Sequence, residues 1–117
     1  MFRHLNNVAI GQFYEEARFA LAGEARALLP RESKGRMVVV NVDTAYLREA
    51  RYPGDVTICT GIVSRGAKSF TVGQALFQNG GCFSAADTII VYMDEHGSAA
   101  IPQEVADYLD GLIIQGF

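Results

Sequence analysis

The chain has 117 residues, half of them hydrophobic and a fifth charged, and its formal net charge is -3 at pH 7. This length predicts a single domain, and the apolar content is enough for one hydrophobic core. Intrinsic disorder is excluded because the chain is neither strongly charged nor poor in aliphatic residues. The negative charge argues against nucleic acid as the main partner, because phosphate binding needs a basic surface.

No apolar run approaches the roughly 18–20 residues that a membrane-spanning helix needs, and the N-terminus lacks the apolar segment of a signal peptide. We therefore expect a cytoplasmic protein with no membrane partner. Cys59 and Cys82 are the only cysteines, which fits a reducing compartment better than a disulfide framework. No Cys-x-x-Cys pair is present, and no other pattern in the sequence indicates a metal site or a bound cofactor.

A long helix is predicted over residues 7–29. Asn6 or Asn7 is suited to cap its start, because an Asn side chain accepts a hydrogen bond from an otherwise unpaired backbone N–H. Pro30 ends it, since the residue before a proline avoids helical dihedral angles. Apolar side chains recur at the spacing of an amphipathic helix, at Ile10, Phe13, Tyr14, Ala17, Leu21, Ala25 and Leu28.

Two residues of this helix break the amphipathic pattern. Glu24 falls inside the apolar arc, where we expect a structural ion pair. Phe19 falls on the polar side, which would be explained if protein packs against the helix on more than one side.

Four strands are predicted after the helix, because β-branched segments alternate with turn-forming residues. They span residues 37–48, 56–63, 69–78 and 82–94. A short helix over residues 102–113 follows, with Pro102 in the favoured first helical position. In the first strand the alternation predicts one common face, made of Val38, Val40, Val42, Thr44 and Tyr46.

The predicted architecture is α+β, with one antiparallel sheet covering the apolar arc of the long helix. Short turns imply antiparallel neighbours, because parallel strands need long crossover connections. Small residues such as Gly73, Ala75 and Ser84 allow the sheet backbone to approach another element closely. A sheet of four strands with a helix on one face leaves an edge or the opposite face exposed, which favours self-association.

Three segments of the sequence resemble one known family. His4-Leu5-Asn6-Asn7, followed by Phe13-Tyr14-Glu15-Glu16-Ala17-Arg18, resembles the GH-x-NN…YFEEAR opening of the 4-hydroxybenzoyl-CoA thioesterase-like hot-dog proteins. Tyr46-Leu47, followed by Tyr52-Pro53-Gly54-Asp55, is similar to the family's YL…YGD segment. Arg65-Gly66-Ala67-Lys68-Ser69, followed by Val91-Tyr92-Met93-Asp94, resembles its G-x-x-S…VxVD segments. Together the motifs cover nearly the whole chain.

The resemblance implies a hot-dog fold, in which an antiparallel sheet wraps around one long helix and the subunits form a homodimer, often a homotetramer. It also implies an acyl-CoA thioesterase, which hydrolyses an acyl-CoA or acyl-carrier-protein thioester, with coenzyme A present only as part of the substrate. The active site is then expected at the dimer interface near the helix N-terminus. There the helix dipole and the N–H groups of the first turn stabilise an oxyanion.

The sequence departs from the family at the catalytic acid. Many members carry an aspartate in the loop before the long helix, at a position that falls immediately before Met1 in this sequence. The family's first strand would also lie upstream of Met1, so we expect that strand to be missing. Either the chain is shortened at its N-terminus or the protein lacks the usual acid.

The catalytic candidates are His4, Asn6, Asn7 and Glu15. His4 is a candidate general base, because histidine exchanges protons most readily near neutral pH; a solvated terminal residue is the alternative. Asn6 and Asn7 are candidates for positioning substrate or water, with helix capping as the alternative. Glu15, or its neighbour Glu16, is a candidate base, with an ordinary solvated helix face as the alternative.

The substrate-binding candidates are Tyr46, Arg65, Lys68 and Ser69. Tyr46 is a candidate for lining the acyl pocket, although core packing would explain it equally well. Arg65 and Lys68 are candidates for binding the phosphates of CoA, with an ordinary exposed turn as the alternative, and Ser69 belongs to the same motif.

Two further functions stay open beside thioester hydrolysis. The first is a non-catalytic hot-dog module that binds acyl thioesters or assembles partners, which the missing acid favours. The second is a hot-dog dehydratase, against which the absence of a well-placed pair of histidine and acid argues.

Overall fold

The computed structural model describes residues 7–48 and 55–114. Its first element is helix α1 (Asn7–Arg26), which confirms the predicted long helix but ends a little earlier. The backbone N–H groups of Leu28 and Leu29 bond to the carbonyls of Ala25 (3.2 Å) and Arg26 (3.1 Å). This is the tighter pattern of a 3₁₀ turn, and Pro30 then prevents the helix from resuming.

The strands follow close to their predicted positions. They are β1 (Arg36–Tyr46), β2 (Thr57–Arg65), β3 (Ser69–Gln78), β4 (Gly81–Asp94) and the two-residue β5 (Gly97–Ser98). Asn79 and Gly80 adopt φ values of 54° and 75° in the β3–β4 turn, as expected for a tight hairpin.

All strand pairs are antiparallel, and the four long strands lie in the order β1-β4-β3-β2, with β5 paired to β4. The predicted α+β architecture with an antiparallel sheet is therefore confirmed. This order leaves β1 at one edge of the sheet and β2 at the other.

One face of the sheet, called here the inner face, packs against α1 and forms two apolar clusters. The cluster under the N-terminal half of α1 joins the helix residues Ile10 and Tyr14 to Leu76, Phe83 and Ala86 of the sheet. The cluster under the C-terminal half is larger and also receives the second helix, α2 (Gln103–Asp110). Its buried members are Leu21, Ala25, Ile62, Phe70, Val72, Ile90, Tyr92, Ile101, Val105, Ala106 and Leu109.

The predicted common face of β1 is wrong at its first two positions. Val40 has no partner in β4, because the register shifts between Val39 and Asn41. This β-bulge moves the later residues by one position, so Val42 pairs with Thr88 on the inner face. Thr44 and Tyr46 follow Val42 on that face, whereas Val38 lies opposite Val91 on the outer face. A bulge depends on pairing with another strand, and strand alternation alone does not reveal it.

The segment after α2 leaves the predicted helix and pairs with the sheet. Gly111 follows the last helical residue, and Ile62 then bonds to both sides of this segment. The Ile62 N–H donates to the Leu112 carbonyl (3.0 Å), and the Ile62 carbonyl accepts from the Ile114 N–H (2.8 Å). The predicted helix of residues 102–113 is shorter because its last residues extend the edge of the sheet beside β2.

The two residues that break the pattern of α1 have different outcomes. Phe19 is 67% exposed, so the described residues form no second layer over it. Glu24 accepts a hydrogen bond from the Tyr108 hydroxyl of α2, and it forms the expected ion pair with none of the residues that the structure describes. Burial and the neighbouring Glu24 carboxylate raise the pKa of Tyr108 to about 12, so this tyrosine remains a donor at neutral pH.

The packing of α2 gives a prediction about stability. Leu109→Ala should lower the free energy of unfolding by about 2–5 kcal/mol, because it removes a fully buried side chain and leaves a cavity. Leu28→Ala, at an exposed leucine after α1, is the matched control and should cost about 1 kcal/mol or less. Urea unfolding of the two variants measures the difference, and equal losses would contradict the packing of α2 on the core.

Candidate active site

Tyr14 joins the N-terminal half of α1 to the sheet through hydrogen bonds. Its side chain is 2% exposed, and its hydroxyl donates to Ser84 Oγ on β4 at 2.7 Å. Ser84 Oγ in turn donates to the Ala45 carbonyl on β1 at 2.9 Å. Burial is the main cause that raises the pKa of Tyr14, so its hydroxyl stays protonated at neutral pH. One chain of hydrogen bonds therefore joins the helix to an inner strand and to an edge strand.

Gln74 holds the same helix residue from β3. Its amide nitrogen donates to the Tyr14 carbonyl (3.1 Å) and to Thr60 Oγ1 on β2 (3.2 Å), while its amide oxygen accepts from Arg18 Nη1 (3.4 Å). Gln74 is buried, so these bonds replace the water that its amide loses. Two strands of the sheet, β4 and β3, thus form hydrogen bonds with Tyr14, one with its side chain and one with its backbone.

Tyr46 lies next to this network, at the end of β1. It pairs with Ser84 across the sheet, and it is close enough to affect the Tyr14 hydroxyl electrostatically. Its side chain is half exposed. Asn7 begins α1, although its side chain lies outside the described part of the structure, as do His4 and Asn6. The described residues therefore place Tyr46 beside the N-terminal half of α1.

Arg65, Lys68 and Ser69 lie at the other end of the sheet. Tyr46 pairs with Ser84 on β4, and Ser84 pairs with Leu76 on β3. Ser69, the first residue of β3, is seven residues before Leu76, so Ser69 and Tyr46 are separated by roughly 23 Å along the strand direction. Lys68 is exposed, and its carbonyl accepts from the Tyr92 N–H (2.9 Å). One chain therefore does not bring the predicted substrate-binding residues together.

Arg65 is engaged by an acidic residue of α2. Its Nε and Nη2 atoms donate to the two carboxylate oxygens of Asp110 at 2.6 Å and 2.9 Å. The guanidinium holds the pKa of Asp110 below its ordinary value. A bidentate pair of this kind is the geometry with which arginine also binds phosphate, so Asp110 occupies the donors that a phosphate would use.

Residues 1–109 match the sequence model of the Thioesterase-like superfamily. The chain belongs to this superfamily. A comparison with curated proteins found no match to this sequence.

Solved structures of this thioesterase-like fold resemble the chain along nearly its whole length. A predicted thioesterase from Bacillus stearothermophilus is 24% identical, with a TM-score of 0.85, over 97% of this chain and 86% of that one. The PA5185 protein from Pseudomonas aeruginosa is 23% identical, with a TM-score of 0.82, over 100% and 85%. A hypothetical protein from Staphylococcus aureus, solved in complex with CoA, is 15% identical, with a TM-score of 0.81, over 98% and 78%. The likeness shows that the chain has the hot-dog fold.

Glu15 is exposed on α1 and lies roughly 12 Å along the helix axis from Asn7. Within one chain, Glu15 therefore does not lie at the start of α1. Its neighbour Glu16 instead borders a cavity of about 300 Å³ between α1 and β2, which is otherwise apolar. The sequence did not distinguish the surroundings of Glu15 from those of Glu16, because the position of each carboxylate relative to the sheet depends on the rotation of α1.

A second apolar cavity, of about 320 Å³, lies beside the C-terminal half of α1 and the start of β1. The exposed Phe19 is on its rim, and Met37, Leu29 and Tyr92 line it together with Arg26. The hydroxyl of Tyr92 fills the place where a Cβ atom on Gly35 would lie, so this glycine is required for the close approach. The cavity lies beside the start of β1, an edge strand of the sheet formed by the described residues.

Sequence reasoning missed the polar network. Tyr14 was assigned to the apolar stripe, and Ser84 was interpreted only as a small residue. A signal was present in β3, where the inward positions Phe70, Val72 and Leu76 are apolar and Gln74 interrupts them. Polar side chains at inward positions of a sheet indicate partners within the core, but the sequence does not identify those partners.

The described parts of the chain show neither a metal-binding cluster nor a membrane-spanning helix. Residues 7–48 and 55–114 contain no group of three or more His, Cys, Asp or Glu side chains that could hold a metal ion. Neither α1 nor α2 is long and apolar enough to cross a membrane.

Proposed function

We propose that this thioesterase-like protein hydrolyses an acyl-CoA, or an acyl-carrier-protein thioester, to a free acid and a thiol. The observation that carries the proposal is the match of residues 1–109 to the Thioesterase-like superfamily. The CoA bound to the Staphylococcus aureus structure supports CoA as the thiol part of the substrate, because that protein shares the fold.

The proposed mechanism uses the N-terminal end of α1. The positive end of the helix dipole polarises the thioester carbonyl and stabilises the oxyanion that forms when water attacks it. The carbon–sulfur bond then breaks, and the thiolate leaves and takes up a proton. We assign the positioning of the thioester to Asn6 and Asn7, and the removal of a proton from water to His4 or, across a dimer interface, to Glu15 of a second copy.

The proposed substrate contacts divide between the two ends of the sheet. Tyr46 borders the acyl group, while Arg65, Lys68 and Ser69 contact CoA. In a two-fold dimer that joins two β1 edges in antiparallel fashion, the start of one β1 lies beside the end of the other. Ser69 of the partner is then about three strand spacings, or roughly 14 Å, from Tyr46, which is closer than within one chain. A site shared between two copies therefore brings the predicted residues nearer to one substrate.

The edge of β1 supports a homodimer, which is also the unit from which a tetramer would be built. Among the strands of residues 7–48 and 55–114, only β4 pairs with β1, so the other edge of β1 is open to a strand of a second copy. Several large apolar side chains along or just after it are exposed, namely Val39, Val40, Val42, Tyr46 and Leu47. An exposed apolar edge strand is favourable for pairing with another chain.

A non-catalytic module that binds acyl thioesters is the second candidate. It is favoured by the position of Glu15, which is roughly 12 Å from the helix start and so does not reach a thioester held there by the same chain. Binding without hydrolysis would need the helix end and the phosphate contacts but no base.

Thioester hydrolysis is tested by measuring thiol release from short-chain, long-chain and aromatic acyl-CoAs. We expect turnover well above spontaneous hydrolysis for at least one class, because the helix end lowers the energy of the oxyanion. Cys59 and Cys82 are free thiols, the first exposed and the second partly exposed, so protein with both replaced by serine gives the baseline for a thiol-trapping reagent. Acyl-CoA binding in calorimetry, without turnover of any class, would overturn the enzyme and favour the binding module.

Arg65→Gln tests the proposed phosphate contact. We expect the KM for an acyl-CoA to rise by about tenfold with little change in kcat, because a hydrogen bond to a charged group contributes about 1.5–3 kcal/mol. Asp110→Asn is the control, since it breaks the same ion pair but keeps the cation, and its KM should stay the same or fall. An equal rise in KM for both variants would show that only the ion pair matters.

Val42→Lys tests the proposed dimer edge. Val42 on β1 and Val63 on β2 are both 46% exposed, so Val63→Lys is a matched control on the opposite edge strand. A lysine on β1 should convert a dimer to a monomer in sedimentation equilibrium, because a buried charge at a strand pair is costly, whereas the β2 variant should remain dimeric. A monomeric wild-type protein, or a dimer of both variants, would contradict pairing through β1.

A further inference from the structure

The hydrogen bonds around Tyr14 hold one point of α1 from two neighbouring strands. Ser84 on β4 accepts from its hydroxyl at 2.7 Å, and Gln74 on β3 donates to its carbonyl at 3.1 Å. One bond fixes the side chain and the other fixes the backbone of the same residue. Together they restrict both the rotation of the helix and its position along the sheet.

These polar groups lie inside an otherwise apolar cluster. Ile10, Leu76, Phe83 and Ala86 surround Tyr14, and a phenylalanine would satisfy the same packing. Replacing both partners of a buried hydrogen bond by apolar groups of similar shape is often nearly neutral for stability. The hydrogen bond is directional, however, and apolar contact is not. Positional precision is thus the main property that the Tyr14–Ser84 bond adds.

The same bonds reach the strand that carries Tyr46. The Ser84 hydroxyl donates a hydrogen bond to the carbonyl of Ala45 at 2.9 Å, and Ala45 directly precedes Tyr46 in the chain. Gln74 also binds Thr60 on β2 at 3.2 Å. The distance between α1 and the end of β1 is therefore set by side chains from the inner strands.

We propose that Tyr14, Ser84 and Gln74 are positioning residues of the thioesterase site, which hold the N-terminal half of α1 at a fixed place relative to Tyr46 and the edge of β1. This inference rests on the proposed function. None of the three touches substrate in the proposed mechanism. They act through the helix end and through Tyr46, where a displacement of about 1 Å is enough to lower a rate by about a hundredfold.

The far end of α1 offers a matched control. There the Tyr108 hydroxyl of α2 donates to Glu24 of α1, so a second tyrosine hydroxyl ties the same helix to another element. Loss of that hydroxyl removes a second tyrosine contact of the helix, made to an exposed carboxylate and well away from Tyr46. The pair Tyr14→Phe and Tyr108→Phe therefore separates an effect on the site from an effect on helix packing.

The experiment compares kcat and KM of the two variants on the best acyl-CoA found for the wild-type protein. Tyr14→Phe should lower kcat by about ten- to a hundredfold and leave KM within about twofold, because ground-state binding does not need the precise geometry. Tyr108→Phe should keep both values close to wild type. The limbs of the pH–rate profile should not move in Tyr14→Phe, since a positioning residue gives up no proton.

A double-mutant cycle makes the test independent of stability. Ser84→Ala leaves the Tyr14 hydroxyl buried without this acceptor, whereas the double variant with Tyr14→Phe removes both partners. If the two act as one unit, the double variant should lower kcat no more than Tyr14→Phe alone. Unchanged kcat in a folded Tyr14→Phe variant, or an equal loss in Tyr108→Phe, would overturn the inference while hydrolysis by the wild type stands. Absence of wild-type turnover would instead overturn the proposed function, on which the inference depends.

Discussion

The burial of one face of α1 against the inner face of the antiparallel sheet is the constraint on which the rest of this structure depends. The apolar stripe supplies the driving force, because removing aliphatic and aromatic surface from water is the main favourable term in folding. It produces one cluster under each half of the helix. Apolar packing alone leaves the helix free to shift by small amounts. The bonds that Tyr14 makes to Ser84 and Gln74 add direction to that packing.

The same constraint divides the molecule into two ends with different chemistry. The end beside the helix start carries Tyr46 and the buried polar network, and the other end carries Arg65 with its partner Asp110. The two ends are far apart within one chain, although the sequence predicts substrate-binding candidates at both of them. A second copy joined through β1 reduces that separation. The exposed edge and the divided site thus favour the same assembly, for independent reasons.

The two edge strands of the sheet, β1 and β2, differ in how far the described chain covers them. On β2, the residues after α2 cover part of the edge, with the Ile62 N–H and carbonyl bonded to Leu112 and Ile114. Ile114 also fills the space above Gly61, where a Cβ atom would come within 2.4 Å of its side chain. On β1 the described chain supplies no such cover, and the exposed side chains there are mostly apolar. This asymmetry is why the proposed dimer uses β1.

The sequence alone determined the kind and order of the elements, because these follow from local features. The stripe of α1, the proline after it and the Asn79-Gly80 turn each depend on residues within a few positions of one another. The motifs also gave the superfamily before any contact was known. The ion pair predicted for Glu24 is not formed with any described residue; the carboxylate instead accepts a hydrogen bond from the Tyr108 hydroxyl.

Only the tertiary structure decided the contacts between distant residues. Tyr14 and Ser84 are 70 positions apart in sequence, so their bond depends on how α1 is rotated over β4. The bulge at Val40 depends on the register with β4, and it reversed the expected position of Val38. Arg65 was expected at an exposed turn or on a phosphate, yet α2 brings Asp110 to it. Local patterns select elements through short-range sterics and hydrogen bonding, whereas pairing partners are selected by how all the elements fill one core.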